Sequence, residues 1–302
     1  MPLSACMTEY SPPTHKKNPG KRLPHNLFNN FLVHTGTTMS SDLPSCMRTS
    51  IICRHFSRAA STYDSGASIQ RELACSLAHS VTSQAGHLAW PRILEIGCGT
   101  GFLTRELSQL HPAREYWVND ISEAMLRKVA PLSKSFPSTQ WKSMLGDAEH
   151  LIWPNGLDAV VSSSAVQWFS NPLSVIPKSA NALTDRGLLA ICTFLPGTCR
   201  EIYELTGKAL RYPCKQEWLD SLSKGGFDVT SCRTKQISLV FDSPKSVLHH
   251  MQQTGVNSVT TTTAWTTTQL RTFSENYIKR FGNSSGVSLT YETLSFVAIK
   301  TR

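Results

Sequence analysis

Arg92-Ile93-Leu94-Glu95-Ile96-Gly97-Cys98-Gly99-Thr100-Gly101, continued by Phe102-Leu103-Thr104, is the stretch whose reading decides the fold. A short apolar strand meets an acidic residue and three glycines at alternate positions, and a helix is expected to open directly behind them. Glycine has no Cβ, so the backbone can pass close to a ligand and take dihedrals that other residues avoid. The helix behind it offers unpaired amides at its N-terminus. This order describes a nucleotide-type cofactor site at a strand-to-helix turn.

The dinucleotide fingerprint G-x-G-x-x-G requires a glycine where the chain has Phe102. A dinucleotide site also aims its helix N-terminus at a pyrophosphate. S-adenosylmethionine carries no phosphate and presents an amino group and a sulfonium cation, which an acidic residue ahead of the glycines suits. Glu95, Gly97, Gly99 and Gly101 in this spacing resemble motif I of the class I S-adenosylmethionine-dependent methyltransferases. Cys98, inside the turn, reads as a small buried side chain beside the cofactor rather than a reactive thiol.

Glu115 to Asn119 reads as a second strand ending at Asp120, about 20 residues beyond the glycines, where a carboxylate accepts hydrogen bonds from both ribose hydroxyls. Ile121 follows it. A helix carrying Met125, Leu126 and Val129 leads to a third strand around Trp141 to Leu145, which ends at Gly146-Asp147-Ala148-Glu149. Asp147 then faces the adenine amino group, with Ala148 beside it. A fourth strand, Leu157 to Ser162 with Asp158 at its start, runs into Ser163-Ser164-Ala165-Val166-Gln167-Trp168-Phe169, and a fifth spans Gly187 to Phe194. Ser163 and Ser164 join the cofactor set, and Trp168 is placed to wall off the reacting methyl or to pack a lid. Strands alternating with helices imply a parallel sheet with its site at the strands' carboxyl ends. The fold class is α/β and Rossmann-like, with a seven-stranded, mostly parallel sheet, helices on both faces and a helical cap insertion.

The chain has 302 residues, 40% of them apolar, and no apolar run approaching the length of a membrane span. Its nine cysteines form no C-x-x-C pair, which argues against zinc, so no metal is expected, and they suit a reducing cytoplasm. Net charge is +9, of which residues 1–60 supply +5 through seven basic residues against Glu9 and Asp42. The segment 1–46, with Pro12-Pro13, Lys16-Lys17 and Lys21-Arg22, reads as a disordered basic tail or as an over-called start, with translation beginning near Met39 or Met47. Residues 47–302 then form one methyltransferase domain, with a lid helix at about 56–85, a cofactor core at about 90–195 and cap elements at about 197–214 and 243–281.

The folded part is expected from Phe56, followed by a lid helix with Ile69, Leu73, Leu77 and Val81 on one stripe. Tyr63 and Gln70 lie at its entrance, where the resemblance to class I methyltransferases implies that such a helix covers the cofactor. Beyond the fifth strand, helices are expected at Gly197 to Leu210, Gln216 to Lys224, Pro244 to Thr254 and Thr266 to Phe281. Strands are expected at Ile237 to Phe241 and Val287 to Lys300. The threonine-rich Thr260 to Thr263 reads as a loop before a helix cap.

Phe56-Ser57-Arg58-Ala59-Ala60 with Tyr63, Asn119-Asp120-Ile121-Ser122, Gly146-Asp147-Ala148-Glu149, Ala165-Val166-Gln167-Trp168-Phe169, Thr254-Gly255-Val256-Asn257 and Leu289-Thr290-Tyr291 add to the glycine motif. Together they resemble the malonyl-[acyl-carrier protein] O-methyltransferase family of biotin synthesis, from Phe56 onward. The resemblance implies methylation of the free carboxyl of a malonyl thioester, on acyl carrier protein or coenzyme A, to start pimeloyl formation. A carboxylate is already ionised at neutral pH and needs no general base. It does need a holding group, for which Arg200, Arg211 and Lys245 are candidates, with Arg211, followed by Tyr212, the first choice; bidentate geometry favours arginine over lysine for this task. Tyr63, Trp168 and Arg211 are the candidate catalytic residues. Other acceptors remain open: another small carboxylate, a quinone, or RNA. For RNA, only +4 is left for residues 61–302, and no arginine-rich helix is evident, so neither nucleic acid nor membrane is an expected partner.

Overall fold

A computed structural model describes residues 45–85, 91–254 and 265–301. Most of the basic tail, Gly255-Val256-Asn257 and the Thr260 to Thr263 run lie outside these residues. The chain opens with three helices, α1 (Ser45–Ala59), α2 (Tyr63–Gly66) and α3 (Ser68–Ala85). An alternating core follows: β1 (Arg92–Ile96), α4 (Phe102–Leu110), β2 (Glu115–Asp120), α5 (Glu123–Val129), α6 (Leu132–Ser135), β3 (Gln140–Leu145), β4 (Leu157–Ser163), α7 (Val175–Ala182) and β5 (Leu183–Phe194). The chain then forms α8 (Arg200–Thr206), α9 (Lys215–Lys224), β6 (Phe227–Phe241), α10 (Pro244–Gln253), α11 (Thr267–Phe281), β7 (Gly282–Asn283) and β8 (Gly286–Lys300).

The sheet runs β3-β2-β1-β4-β5-β8-β6, parallel from β3 to β5, with β8 inserted antiparallel between β5 and β6. Strand order reverses at β1 and β4, so the crevice at their carboxyl ends is the expected ligand position. Alternation along the strands feeds two cores. Ile93, Tyr116, Val118, Ala159, Val161, Leu188 and Ala190 face the layer of α3 and α4, and Leu94, Val160, Leu189 and Ile191 face the layer of Trp218 and Leu222 on α9. Each fully buried aliphatic side chain contributes about 1.5–3 kcal/mol from its removal from water. On α3 the expected stripe Ile69, Leu73, Leu77 and Val81 is buried. No helix among the described residues is long and apolar enough to cross a membrane.

Several sequence expectations shift. A helix over Ser45–Ala59 lies ahead of the expected start at Phe56, and the single lid helix is three, broken around Thr62 and at Ala67, which takes φ −94° and ψ 45°. The helix drawn from Gly197 to Leu210 is only α8, because Gly207 at φ +68° ends it in the left-handed region. β6 begins ten residues before Ile237, at Phe227: it is an edge strand, exposed or half-buried along most of its length, so its polar residues hid it. The seven-stranded sheet gains an eighth member, the two-residue β7 that pairs only with β8. Thr266 caps α11 in a reciprocal box with Gln269.

Candidate active site

Gly97, Gly99 and Gly101 all take positive φ, at 66°, 54° and 89°. They serve different ends. A Cβ on Gly97 would lie 2.2 Å from the Cβ of Ala165, so this glycine lets β1 and the loop after β4 meet. A Cβ on Gly99 would meet no atom within 4 Å, and Gly99 lines the cavity, so a side chain there would compete with a ligand. Asp120 ties the turn to β2, its Oδ2 accepting the Gly99 amide at 2.9 Å and its Oδ1 the Ser122 amide at 2.8 Å. Asn119 donates to the carbonyls of Met144 and Gly146, both at 2.9 Å, and so fixes the end of β3.

Glu95 projects from β1 into the cavity floor, where the Tyr116 hydroxyl donates to its Oε2 at 2.8 Å. Burial pushes its carboxyl up to about 7, against the opposing pull of that hydrogen bond. Asp120 is likewise raised by burial, to about 6, with the Ser122 and Gly99 amides opposing. Cys98 is buried, and burial raises its thiol well above the ordinary range, which suits a packing role.

The cavity encloses about 860 Å³ including its open mouth. Tyr63, Gln70, Glu95, Gly97, Cys98, Gly99, Asp120, Ile121, Asp147, Ala148, Ser163, Ser164 and Trp168 all line it. Gly101 does not line it; as the left-handed N-cap of α4 it shapes the turn from behind. Buried polar atoms without partners are Gln70 Oε1, Ser163 Oγ, Ser164 Oγ and Thr100 Oγ1, on residues that line this cavity. Such atoms are stable only if a ligand or solvent completes them. Ser164, at φ +56°, holds a left-handed conformation, and the Gln167 amide donates to its carbonyl at 2.8 Å.

Helix α1 crosses the mouth. The Thr49 hydroxyl donates to Asp147 Oδ2 at 2.8 Å, Cys53 Sγ to the Ile121 carbonyl at 3.3 Å, and Arg48 Nη2 to the Phe169 carbonyl at 3.0 Å. Ser57 Oγ and Ser122 Oγ share a hydrogen bond of 2.8 Å. The Phe56 ring meets Trp168 edge-on, with centroids 5.3 Å apart. Sequence reasoning missed Arg48, Thr49 and Ile52; the buried Ile52 and Ala59, seven residues apart, mark the helical stripe that could have found them.

A second cavity, about 380 Å³ with its opening, continues past Tyr63, Gln70, Ser164 and Trp168 toward Thr198, Tyr212, Thr254 and Tyr291. Arg211 does not line either cavity. It is exposed and, behind the Cys214 amide and thiol, helps hold the Glu217 carboxyl below its usual range. Arg200 pairs with Glu201 at 3.8 Å, and Lys245 is exposed on α10.

Residues 93–187 match the methyltransferase-domain family. The chain is 34% identical over 245 residues to the malonyl-[acyl-carrier protein] O-methyltransferase of Haemophilus influenzae, covering 80% of this chain and 91% of that one. The chain belongs to the malonyl-[acyl-carrier protein] O-methyltransferase family. Members from Acinetobacter baylyi and Bacteroides thetaiotaomicron are each 32% identical, with 97% and 100% of their lengths covered. A putative methyltransferase of Bacillus halodurans shares the fold, with a TM-score of 0.54 at 16% identity over 74% of this chain and 98% of that one. The YcgJ protein of Bacillus subtilis does so at 0.52 and 15% over 75% and 99%. The matched methyltransferase core thus runs from β1 into β5, and the second cavity is bounded on one side by later residues: Thr198 and Cys199 just before α8, Tyr212 after it, Thr254 at the end of α10 and Tyr291 on β8.

Proposed function

We propose that this methyltransferase transfers a methyl group from S-adenosylmethionine to the free carboxylate of a malonyl thioester carried by acyl carrier protein. The methyl ester would then enter pimeloyl formation for biotin, in the cytoplasm. The observation that carries this reading is family membership over nearly the whole length of the relatives, together with two cavities that meet at Tyr63 and Trp168. The first cavity fits the methyl donor. Gly99 leaves the space a side chain would fill, Glu95 offers a carboxylate to the donor's amino group, Asp120 keeps free lone pairs for ribose hydroxyls, and Asp147, steadied by Thr49, faces the adenine end. When bound, the donor supplies an electrophilic methyl on a sulfonium.

The chain's own residues orient and exclude water. Phe56, Tyr63 and Trp168 wall the junction with rings, and a dry junction strengthens the attraction between the incoming carboxylate and the sulfonium. As the new O–C bond forms, the C–S bond breaks toward sulfur, and no proton changes hands. Arg211 stands beside Tyr212 as a cation for the acidic carrier at the cavity's approach. Incubation with methyl-labelled donor and malonyl carrier protein, malonyl-CoA, free dicarboxylates or tRNA tests the reading. Label is expected on a malonyl thioester, and label on tRNA alone overturns it.

A further inference from the structure

The second cavity lacks the feature expected of a carboxylate site. Every described residue that lines it is uncharged, yet the proposed acceptor carries a full negative charge. Burying that charge without compensation is costly, so the wall must supply hydrogen-bond donors.

Three side chains qualify. The Tyr291 hydroxyl lies 2.8 Å from His250 Nε2, with both residues buried and the imidazole packed 5.1 Å from the Phe241 ring. Burial holds the His250 pKa down, to about 4, so the ring is neutral and carries one N–H. With that hydrogen on Nε2, the imidazole donates to the phenol oxygen, and the phenol proton is left free for the cavity. Tyr212 also lines the cavity, and Phe194 braces both phenols, its ring centroid 6.4 Å from that of Tyr212 and 5.9 Å from that of Tyr291. Gln70 is only 7% exposed, its Oε1 has no partner, and it borders both cavities, so a half-turn of its amide presents two N–H donors.

We propose that the acceptor carboxylate is bound by neutral donors, the hydroxyls of Tyr291 and Tyr212 and the amide of Gln70, with His250 as the positioning residue that directs the Tyr291 proton into the cavity. The chemistry favours such a cradle. Methyl transfer cancels the carboxylate's charge, so an arginine pairing would stabilise the starting state more than the transition state. Neutral donors orient the oxygen and leave the sulfonium as its only counter-charge. The neutral ester product then leaves without breaking an ion pair.

This inference rests on the malonyl thioester reading. The test compares steady-state kinetics of the full chain and its variants on malonyl carrier protein, with cofactor binding by calorimetry and folding by thermal melts as controls. Tyr291→Phe and Tyr212→Phe should each raise the acceptor KM about tenfold, with cofactor Kd and inhibition by the methyl-ester product unchanged. His250→Gln, which keeps an N–H donor, should stay within about threefold of wild type, and His250→Leu should match Tyr291→Phe. A double Tyr→Phe variant within twofold of wild type overturns the cradle, and a tenfold KM effect of Arg200→Ala would then return the carboxylate to a cation. If the wild-type protein labels no carboxylate at all, the functional reading falls and the cradle with it; a working wild type with indifferent variants removes the cradle alone.

Discussion

Glu95 and Asp120 lose their hydration together on the cavity floor, and burial lifts their carboxyls to about 7 and about 6. In an unfolded chain such groups titrate near about 4. Between those values the folded protein binds more protons than the unfolded one, so the stability they contribute is present at low pH and is lost as pH rises through the folded values. A cationic ligand reverses the preference by favouring ionised Glu95. Affinity for S-adenosylmethionine should therefore fall roughly tenfold from about pH 8 to about pH 6, and its thermal stabilisation should be larger at the higher pH. Calorimetry showing a flat affinity across that range would mean that Glu95 is ionised before the ligand arrives. The glycines separate in the same way. Gly97→Ala combines a left-handed backbone with the contact against Ala165 and should cost more than about 2 kcal/mol in urea unfolding. Gly99→Ala, with open space around its new methyl, should cost less stability but raise the cofactor Kd more. The spacing of the glycines was enough to name the ligand class. Which glycine serves packing was not legible, because Ala165 lies 68 residues further along the chain.

At the scale of elements, α1 is the main departure from what the sequence suggested. Its hydrophobic content is low and its contacts with the cavity mouth are largely polar, so its only periodic signal is the sparse pair Ile52 and Ala59, and the family motif begins only at Phe56. Its anchor is Ile52, 5% exposed. Ile52→Ala should weaken the docking of α1 by about 2–4 kcal/mol, seen as faster limited proteolysis ahead of Tyr63 and a higher cofactor Kd. An equal fall in the melting temperature of the whole protein would instead make α1 part of the main core. β6 was shortened in the sequence reading for a related reason. A solvated edge strand needs few apolar residues, and its partner β8 supplies the buried side chains. The buried strands β1, β4 and β5 announced themselves because both of their faces are covered.

On the scale of the whole molecule, the methyl donor's half of the site is written locally, in turns that follow β1, β2, β3 and β4. The acceptor's half, as proposed, is gathered from Thr198, Tyr212, Thr254 and Tyr291, which only the closed sheet brings together, so no local motif in the sequence marks it. If the acceptor arrives on an acidic carrier, as proposed, the chain's positive balance of +9 favours its approach. The KM for malonyl carrier protein should rise severalfold as salt is increased from low to several times physiological strength, with kcat steady; a salt-independent KM would remove electrostatic docking from the account. The position of β8 carries one more consequence. It is synthesised after β5 and β6 yet lies between them, so translation order and spatial order disagree. While the ribosome still holds Gly286–Lys300, β5 has an open edge and β6 has nowhere to attach. The nascent chain then exposes the faces against which Leu294, Phe296 and Val297 pack, and the wall that holds Tyr291 is complete only when that strand threads in.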